Sequence, residues 1–476
     1  MKPAAIKKYI LICILGISCL PLRAEGASGE KLQSIMLEDA IRIAKQNNLD
    51  YKIASNKQKA ESEKVKQAWG MLFPIIESEA SMLRQGADSG FMALTDGQYD
   101  IKVVQLKFGI NPGIFYNSLQ LSRKGYIAST EEVKRIQSEI EYNVIESYFN
   151  LLLAGEMILL RKETIQLLQE NVKDVLSMYK TGSVPRYEVL QAQVQLKSQE
   201  PLLLEAENRY RLAEEMFNYH LGLDERRYTA DHGIMENEHF RIAERDIDSF
   251  VKRLGGVALK NRPEVIQLKA KKEIAGYVKG INSSYYLWPT FTVGGYYGFN
   301  KAIPNVSTAF IPTPSGPGYL DLKQIAGSGR WQQNWQVRVA ATYRWDALIP
   351  LNSTRGQERE AKARMQEAEE ELNKLKRLII ISMKSSYSNL LTSYQMIVSH
   401  KENLQKSAEG LRIARESYRA GVIKNSELFG AQVQLTQAKT GYINAVNTYY
   451  QSQAKLMKDI GIDDIGILFG GANDEK

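Results

Sequence analysis

Residues 179–196 read YKTGSVPRYEVLQAQVQL, and residues 418–435 read YRAGVIKNSELFGAQVQL. Tyr179 and Gly182 recur as Tyr418 and Gly421, Glu188 recurs as Glu427, and Ala192–Leu196 recurs as Ala431–Leu435. The shift of 239 holds without a gap from Ser147–Asp224 to Ser386–Asp463. Within that span Ser147, Tyr148, Asn150, Leu151 and Leu152 meet Ser386, Tyr387, Asn389, Leu390 and Leu391, and Gly222 and Asp224 meet Gly461 and Asp463. Chance does not keep one register through 78 residues with so many identities, so the chain is an internal duplication.

Each copy carries a coiled-coil seam. Ile165, Leu168, Val172, Val175 and Tyr179 are spaced 3-4-3-4, and Leu404, Ser407, Leu411, Ala414 and Tyr418 keep that spacing. No proline interrupts Leu119–Val184 or Asn352–Lys476, so each copy can begin with a helix of ~60 residues, roughly 90 Å long. Gly182 and Gly421 suit the left-handed position that ends a helix, while Ser183 and Asn425 are candidate N-caps for return helices, with Pro185 tolerated in a first turn. Each copy is therefore expected to form a long helical hairpin, over about 117–221 and about 353–460. An intermolecular coiled-coil rod is the alternative. Ser407, Ala414, Gln193 and Gln432 make the seam too small and polar for a simple zipper, which favours helices packed side by side in a larger wall.

Ahead of each hairpin, Leu72-Phe73-Pro74 matches Leu287-Trp288-Pro289, and after each proline the period changes from helical to alternating. Strands are expected at about 74–86, 98–109, 289–301 and 332–346. In the clearest, Trp335, Val337, Val339, Ala341, Tyr343 and Trp345 share the face assigned to lipid, and Gln336, Arg338, Ala340, Thr342 and Arg344 share the other. Eleven residues with a tryptophan at each end is the length and girdle of a tilted membrane strand. Phe291, Val293, Gly295, Tyr297 and Phe299 also share a face. Tyr99–Phe108 changes phase at Val103-Val104, which predicts a bulge, and Glu77 and Glu79 fall on the inner face of the first strand. The connections Gly86–Gly97 and Ala302–Gly329, the latter rich in proline and glycine, are expected as loops at the outer end.

The N-terminus points to an exported chain, its apolar stretch being short for the alternative of a membrane-spanning helix. Lys2, Lys7 and Lys8 precede an apolar stretch from Tyr9 to Leu20 and then Pro21-Leu22-Arg23-Ala24, the pattern of a signal peptide over 1–24 cleaved after Ala24. Both cysteines, Cys13 and Cys19, lie inside it; a lipidated Cys19 is the rival start, against which Gly16 stands where a branched aliphatic is usual. Without this segment the charge falls from +8 to +4, with 58 basic against 54 acidic residues, which gives no support to nucleic-acid binding. No later run reaches ~18 uninterrupted apolar residues. The remaining organisation is a first repeat over 25–224, a linker over 225–246, a second repeat over 247–463 and a tail over 464–476.

Four strands cannot close a transmembrane barrel, and open edges are forbidden in lipid, so protomers must pool strands: two copies give eight, three give twelve. Three copies also bring twelve long helices around an axis. The sequence resembles the TolC family of outer-membrane efflux proteins over about Leu37–Ile462, in the duplicated helix–strand–strand–hairpin plan and in the tip motif Tyr-x-x-Gly followed by Ala-Gln-x-x-Leu. The resemblance implies a mainly α chain with a transmembrane β-barrel. It implies a homotrimer with a twelve-stranded barrel continued by a periplasmic α-helical barrel, in the cell outer membrane. It also implies an exit duct for efflux or type I secretion that meets a periplasmic adaptor, an inner-membrane pump and outer-membrane lipid. The family often carries Asp-x-x-Asp-Ala after the second tip as a ring of carboxylates at the periplasmic entrance. Here the stretch is Glu427-Leu428-Phe429-Gly430-Ala431, so Glu427 takes the first position and Gly430 removes the second acid.

Such a conduit needs no bond chemistry, and no enzyme activity or cofactor is expected. Candidate gate residues are Glu427 and its repeat partner Glu188; a solvated helix-face glutamate near a helix N-terminus is the bland alternative. Candidate docking tips are Gly182, Ser183, Val184 and Arg186 with Gly421, Val422, Ile423 and Lys424. The linker histidines His232 and His239 lack third and fourth ligands at metal-site spacing, and no nucleophile elbow, P-loop or dinucleotide fingerprint occurs. Two rival functions are a periplasmic adaptor, with one hairpin flanked by β-domains, and a purely structural coiled coil, which would lack the strands.

Overall fold

The computed structural model describes residues 33–84, 95–223, 228–231, 240, 242, 246–304, 310–312, 319–321, 329–345 and 349–462. The 1–24 segment with Cys13 and Cys19, the cleavage site, His232 and His239, and the 464–476 tail lie outside the described residues.

The element order is duplicated. The first copy runs β1 (Gln33–Ile35), α1 (Leu37–Asn47), α2 (Leu49–Gly70), β2 (Ile75–Arg84), β3 (Thr95–Ile110), α3 (Pro112–Lys180), α4 (Arg186–Lys197) and α5 (Gln199–His220). After β4 (Tyr228–Ala230), the second runs α6 (Ile247–Asn261), α7 (Pro263–Leu287), β5 (Thr290–Pro304), β6 (Phe310–Pro312), β7 (Tyr319–Asp321), β8 (Gln332–Thr342), α8 (Ser353–Arg419) and α9 (Asn425–Ile460). At 69 and 67 residues, α3 and α8 are each about 100 Å long. One window of α3 is apolar enough to cross a membrane, but half of it is buried in the chain's own core.

The two bodies of packing repeat as the sequence does. Tyr148, Leu151, Leu152, Phe217 and Leu221 centre one cluster, and Tyr387, Leu390, Leu456 and Ile460 centre the other. The two buried tyrosines have been put to different uses. The Tyr148 hydroxyl donates to the Asp231 carbonyl at 3.0 Å and so ties α3 to the linker, whereas Tyr387 stacks on Phe250 with ring centroids 3.7 Å apart. The linker is not wholly irregular: β4 pairs in parallel with β1, and Asn218 clamps it by exchanging hydrogen bonds with the Tyr228 backbone at 2.8 and 3.0 Å. Three-residue strands carry too little alternation to be seen in sequence.

The return helix of the first copy is interrupted at Ser198, dividing α4 from α5. Pro201 has no N–H for the Lys197 carbonyl and its ring crowds that group. Thr440 occupies the equivalent place in the second copy, where α9 runs unbroken for 36 residues.

β2, β3, β5 and β8 form one antiparallel sheet in that order, leaving β2 and β8 as edges. The corner where β3 becomes α3 is pinned by buried Asn111. Its Oδ1 accepts from the Ile114 N–H at 3.1 Å as the helix cap, and its Nδ2 donates to the Ser284 and Trp288 carbonyls at 3.2 and 3.0 Å. Asn352 caps α8 by accepting from the Thr354 N–H at 2.9 Å. The segment 302–329 is more than a loop, because β5 continues to Pro304 and β6 pairs with β7 within it.

Candidate functional site

At the tips, Gly182 and Gly421 have φ of 77° and 72°, a region an L side chain enters only at a cost of about 1–2 kcal/mol. Both close the helix in the same way. The Ser183 N–H donates to the Met178 carbonyl at 2.8 Å and the Gly182 N–H to the Tyr179 carbonyl at 3.0 Å; Val422 to Ser417 and Gly421 to Tyr418 repeat this at 2.9 Å each. The caps expected at Ser183 and Asn425 are not there. α4 begins after Pro185 and α9 after Lys424, neither of which makes a side-chain cap bond. Asn425 is instead fully buried, and its Oδ1 accepts from Asn171 Nδ2 at 2.9 Å, holding α9 to α3.

The eight tip positions divide by burial. Gly182, Ser183, Arg186, Gly421, Val422 and Lys424 are exposed. Val184 and Ile423, which are repeat partners, turn inward onto the cluster of Val175, Val189, Leu411, Tyr418 and Leu428. The seam also departs from strict equivalence: Tyr418 is buried at 4%, whereas Tyr179 is 42% exposed, its place in the contact taken by Met178.

The two candidate gate acids sit in unlike surroundings. Glu427 is exposed in the first turn of α9, where the helix dipole favours its charge. Glu188 is half-buried in the first turn of α4, and its Oε2 is buried with no hydrogen-bond partner among the described residues. Nearby, the Tyr418 hydroxyl is also buried without a partner. Burial, then the negative charges of Glu188 and Asp174, pushes its pKa up to about 12. Asn171 Oδ1, Gln195 Oε1, Asn425 Nδ2 and Gln432 Oε1 complete a set of buried unpaired polar atoms in the tip half of the hairpins. The polar seam is visible in the sequence, whereas the burial of the Tyr418 hydroxyl and the Asn171 amide is set by the packing of the folded hairpins.

The sheet has one apolar and one polar face. Val293 pairs with Val339, Gly295 with Val337, Tyr297 with Trp335 and Phe291 with Ala341, while Phe108, Leu106 and Val104 continue those rows onto β3. Trp335, Val337 and Val339 are 69%, 69% and 75% exposed, a density of free apolar surface that water does not tolerate but hydrocarbon does. β8 ends at Thr342, so Tyr343 and Trp345 lie beyond the strand. The Tyr343 hydroxyl turns back to donate to the Tyr286 carbonyl, and Trp345 packs edge-on to the Tyr343 ring. The phase change in β3 is a bulge. The register slips between Lys102 and Val104 and, opposite, between Glu77 and Glu79, and Ser78 Oγ donates to the Val103 carbonyl at 2.7 Å. On the polar face Glu79 pairs with Lys102 at 2.9 Å, and Glu77 pairs with Lys107.

Among the described residues no group of three or more His, Cys, Asp or Glu could hold a metal ion. No characterised protein matches by overall sequence search. Solved structures do match the fold. CusC superposes with a TM-score of 0.73 at 16% identity, covering 90% of this chain and 93% of that one. The CmeC outer membrane channel of Campylobacter jejuni gives 0.69 at 18%, covering 89% and 85%. The open-state MtrE outer membrane channel of Neisseria gonorrhoeae gives 0.68 at 16%, covering 90% and 89%. Two complete hairpins and four membrane-type strands in one chain fit neither an adaptor with a single hairpin nor a bare coiled coil. The profile of outer membrane efflux proteins matches residues 40–222 and 257–461, on both repeats, and the chain therefore belongs to the outer membrane efflux protein family, as an outer-membrane channel subunit with a large periplasmic helical part.

Proposed function

We propose that three copies of the chain assemble as a passive exit duct, each adding its four strands to a twelve-stranded barrel and its two hairpins to a periplasmic helical barrel. One observation carries this reading: a four-stranded sheet with an apolar outer face and two free edges, β2 and β8. Free edges cannot remain in hydrocarbon, and four strands are too few to close on themselves. β2 and β8 run in opposite directions, so β8 of one copy can continue the antiparallel order onto β2 of the next.

The exposed tip residues Gly182, Ser183, Arg186, Gly421, Val422 and Lys424 form the docking end for a periplasmic adaptor, with Val184 and Ile423 supporting the turns from beneath. An inner-membrane pump delivers the substrate, and the duct performs no bond chemistry. Glu427 forms a ring of three carboxylates at the entrance, with Glu188 behind it. Converging carboxylates repel one another and attract cations. In planar bilayers, Glu427→Gln is expected to lose cation preference and sensitivity to block by multivalent cations. Identical behaviour of the two proteins would place Glu427 on the outer face of the wall and the gate elsewhere.

A further inference from the structure

Among the described residues the polar face of the sheet leaves one cation, Arg338, without a counter-charge beside it. Cross-strand register sorts this face into rows, and Ile75, Lys107, Gly294 and Arg338 share one of them. Lys107 is neutralised by Glu77 and Lys102 by Glu79. Arg338 is exposed and makes no ion pair or side-chain hydrogen bond among the described residues. Asp100, the other acid described on this face, lies three rows away opposite Asn300, roughly 20 Å along the strands at 3.4 Å per residue.

The geometry points to an anion-binding position at Arg338 in the lumen of the assembled channel, suited to small solutes with two or more negative charges, such as polyphosphates or polycarboxylates. This inference rests on the barrel assignment above, in which the polar face lines the lumen and threefold symmetry sets three Arg338 at one height. A guanidinium keeps its charge at any working pH and offers a planar fork of donors that matches an oxyanion. Screening in a wet lumen confines its influence to about 8 Å, so only the local balance of charge matters, and here it is positive.

Gly294 keeps the approach open. A Cβ built there would meet the Leu106 carbonyl oxygen at 3.3 Å and nothing else within 4 Å, so no side chain stands between Arg338 and Lys107. The two backbones are two strand spacings apart, roughly 9.5 Å, so the Lys107–Glu77 pair leaves Arg338 uncovered. Asp100 lies nearer the outer end of the sheet, away from this row.

The test uses the full protein in planar bilayers, with inorganic triphosphate as the probe and block of potassium current as the readout. Block of Arg338→Gln is expected to be weaker than that of the parent by about tenfold, the order of one to two unit charges met at close range in water. Asp100→Asn should be blocked as the parent is. Arg338→Cys should behave as Arg338→Gln until a membrane-impermeant, positively charged methanethiosulfonate reagent restores the charge and the block. A reactive cysteine with block unchanged in both variants would overturn the anion site alone. An unreactive cysteine in a conducting channel would place position 338 outside the lumen and overturn the barrel assignment with it.

Discussion

An arginine at Val337 tests which face of the sheet meets lipid. Val337 is the central residue of β8 and is 69% exposed in the single chain. Its cross-strand neighbour Gly295 has no side chain, so a guanidinium placed there finds apolar neighbours and no partner. A lipid-facing arginine near the midplane costs ~2–4 kcal/mol per site. At 1.36 kcal/mol per factor of ten, this lowers the fraction of correctly inserted chains by about thirty- to nearly a thousandfold. Each of the three chains in the proposed assembly bears that cost. The control lies one residue away, because a single step along a strand reverses the face. Gln336→Arg points to the polar side, is exposed there, and should change stability by no more than about 0.5 kcal/mol. The assay measures heat-labile assembly in outer-membrane fractions, followed by urea titration of protein refolded into liposomes. Val337→Arg should be nearly absent from the membrane and Gln336→Arg present at parental levels. Equal tolerance of both would show that β8 is not a membrane strand.

Two further outcomes follow from the tips and the buried tyrosines. Gly421→Val places a Cβ that meets nothing within 4 Å, so its effect is confined to the turn, at about 1–2 kcal/mol; assemblies should persist in the membrane while export by the host strain fails, and normal export would reduce the tip to a passive turn. Tyr148 and Tyr418 are both pushed up to about 12 from 10.0, chiefly by burial. Their contribution is therefore complete below pH 10 and is lost as pH rises through 12, because the unfolded chain releases the protons first. Unfolding midpoints should fall across that window, and Tyr418→Phe should make the fall shallower; an unchanged slope would mean that the hydroxyl is solvated.

The duplication was legible because identity at constant shift needs no structural assumption, and the helices followed because proline was absent. The sheet faces were legible because alternation in β5 and β8 is nearly unbroken, and even the β3 bulge left its mark in Val103-Val104. The helix starts were not. Ser183 and Asn425 have the chemistry of caps, but the turns end one or two residues differently, and Asn425 was drawn into the contact with Asn171. Pro201 was available to be read and predicts the break at Ser198. β1 and β4 left no signal, since what holds them is Asn218 and the sequence-distant Tyr148, recognisable as partners only once folded. The gate candidates were found by position in a motif, and position alone cannot tell an exposed Glu427 from a half-buried Glu188.

That difference follows from how a duplicated chain builds a wall. The two hairpins share a turn, but the contact between them cannot be symmetric, because α3 meets α9 on one side only. The copies have diverged along that contact: Tyr418 buried against exposed Tyr179, Thr440 against Pro201, and Glu188 drawn inward while Glu427 remains outside. Midway along the hairpins the contact is made by apolar clusters and stacked rings such as Phe149 on Tyr450, 4.4 Å apart. Toward the tips the apolar cluster around Val175, Leu411 and Leu428 is joined by Asn171, Asn425, Gln195, Gln432, Glu188 and Tyr418, each with a buried polar atom that lacks a partner among the described residues. Each such atom costs about 1–3 kcal/mol while the contact is dry and recovers that cost when water enters. Where these atoms lie, parting α3 from α9 within the chain costs less than it does along the apolar clusters of the body.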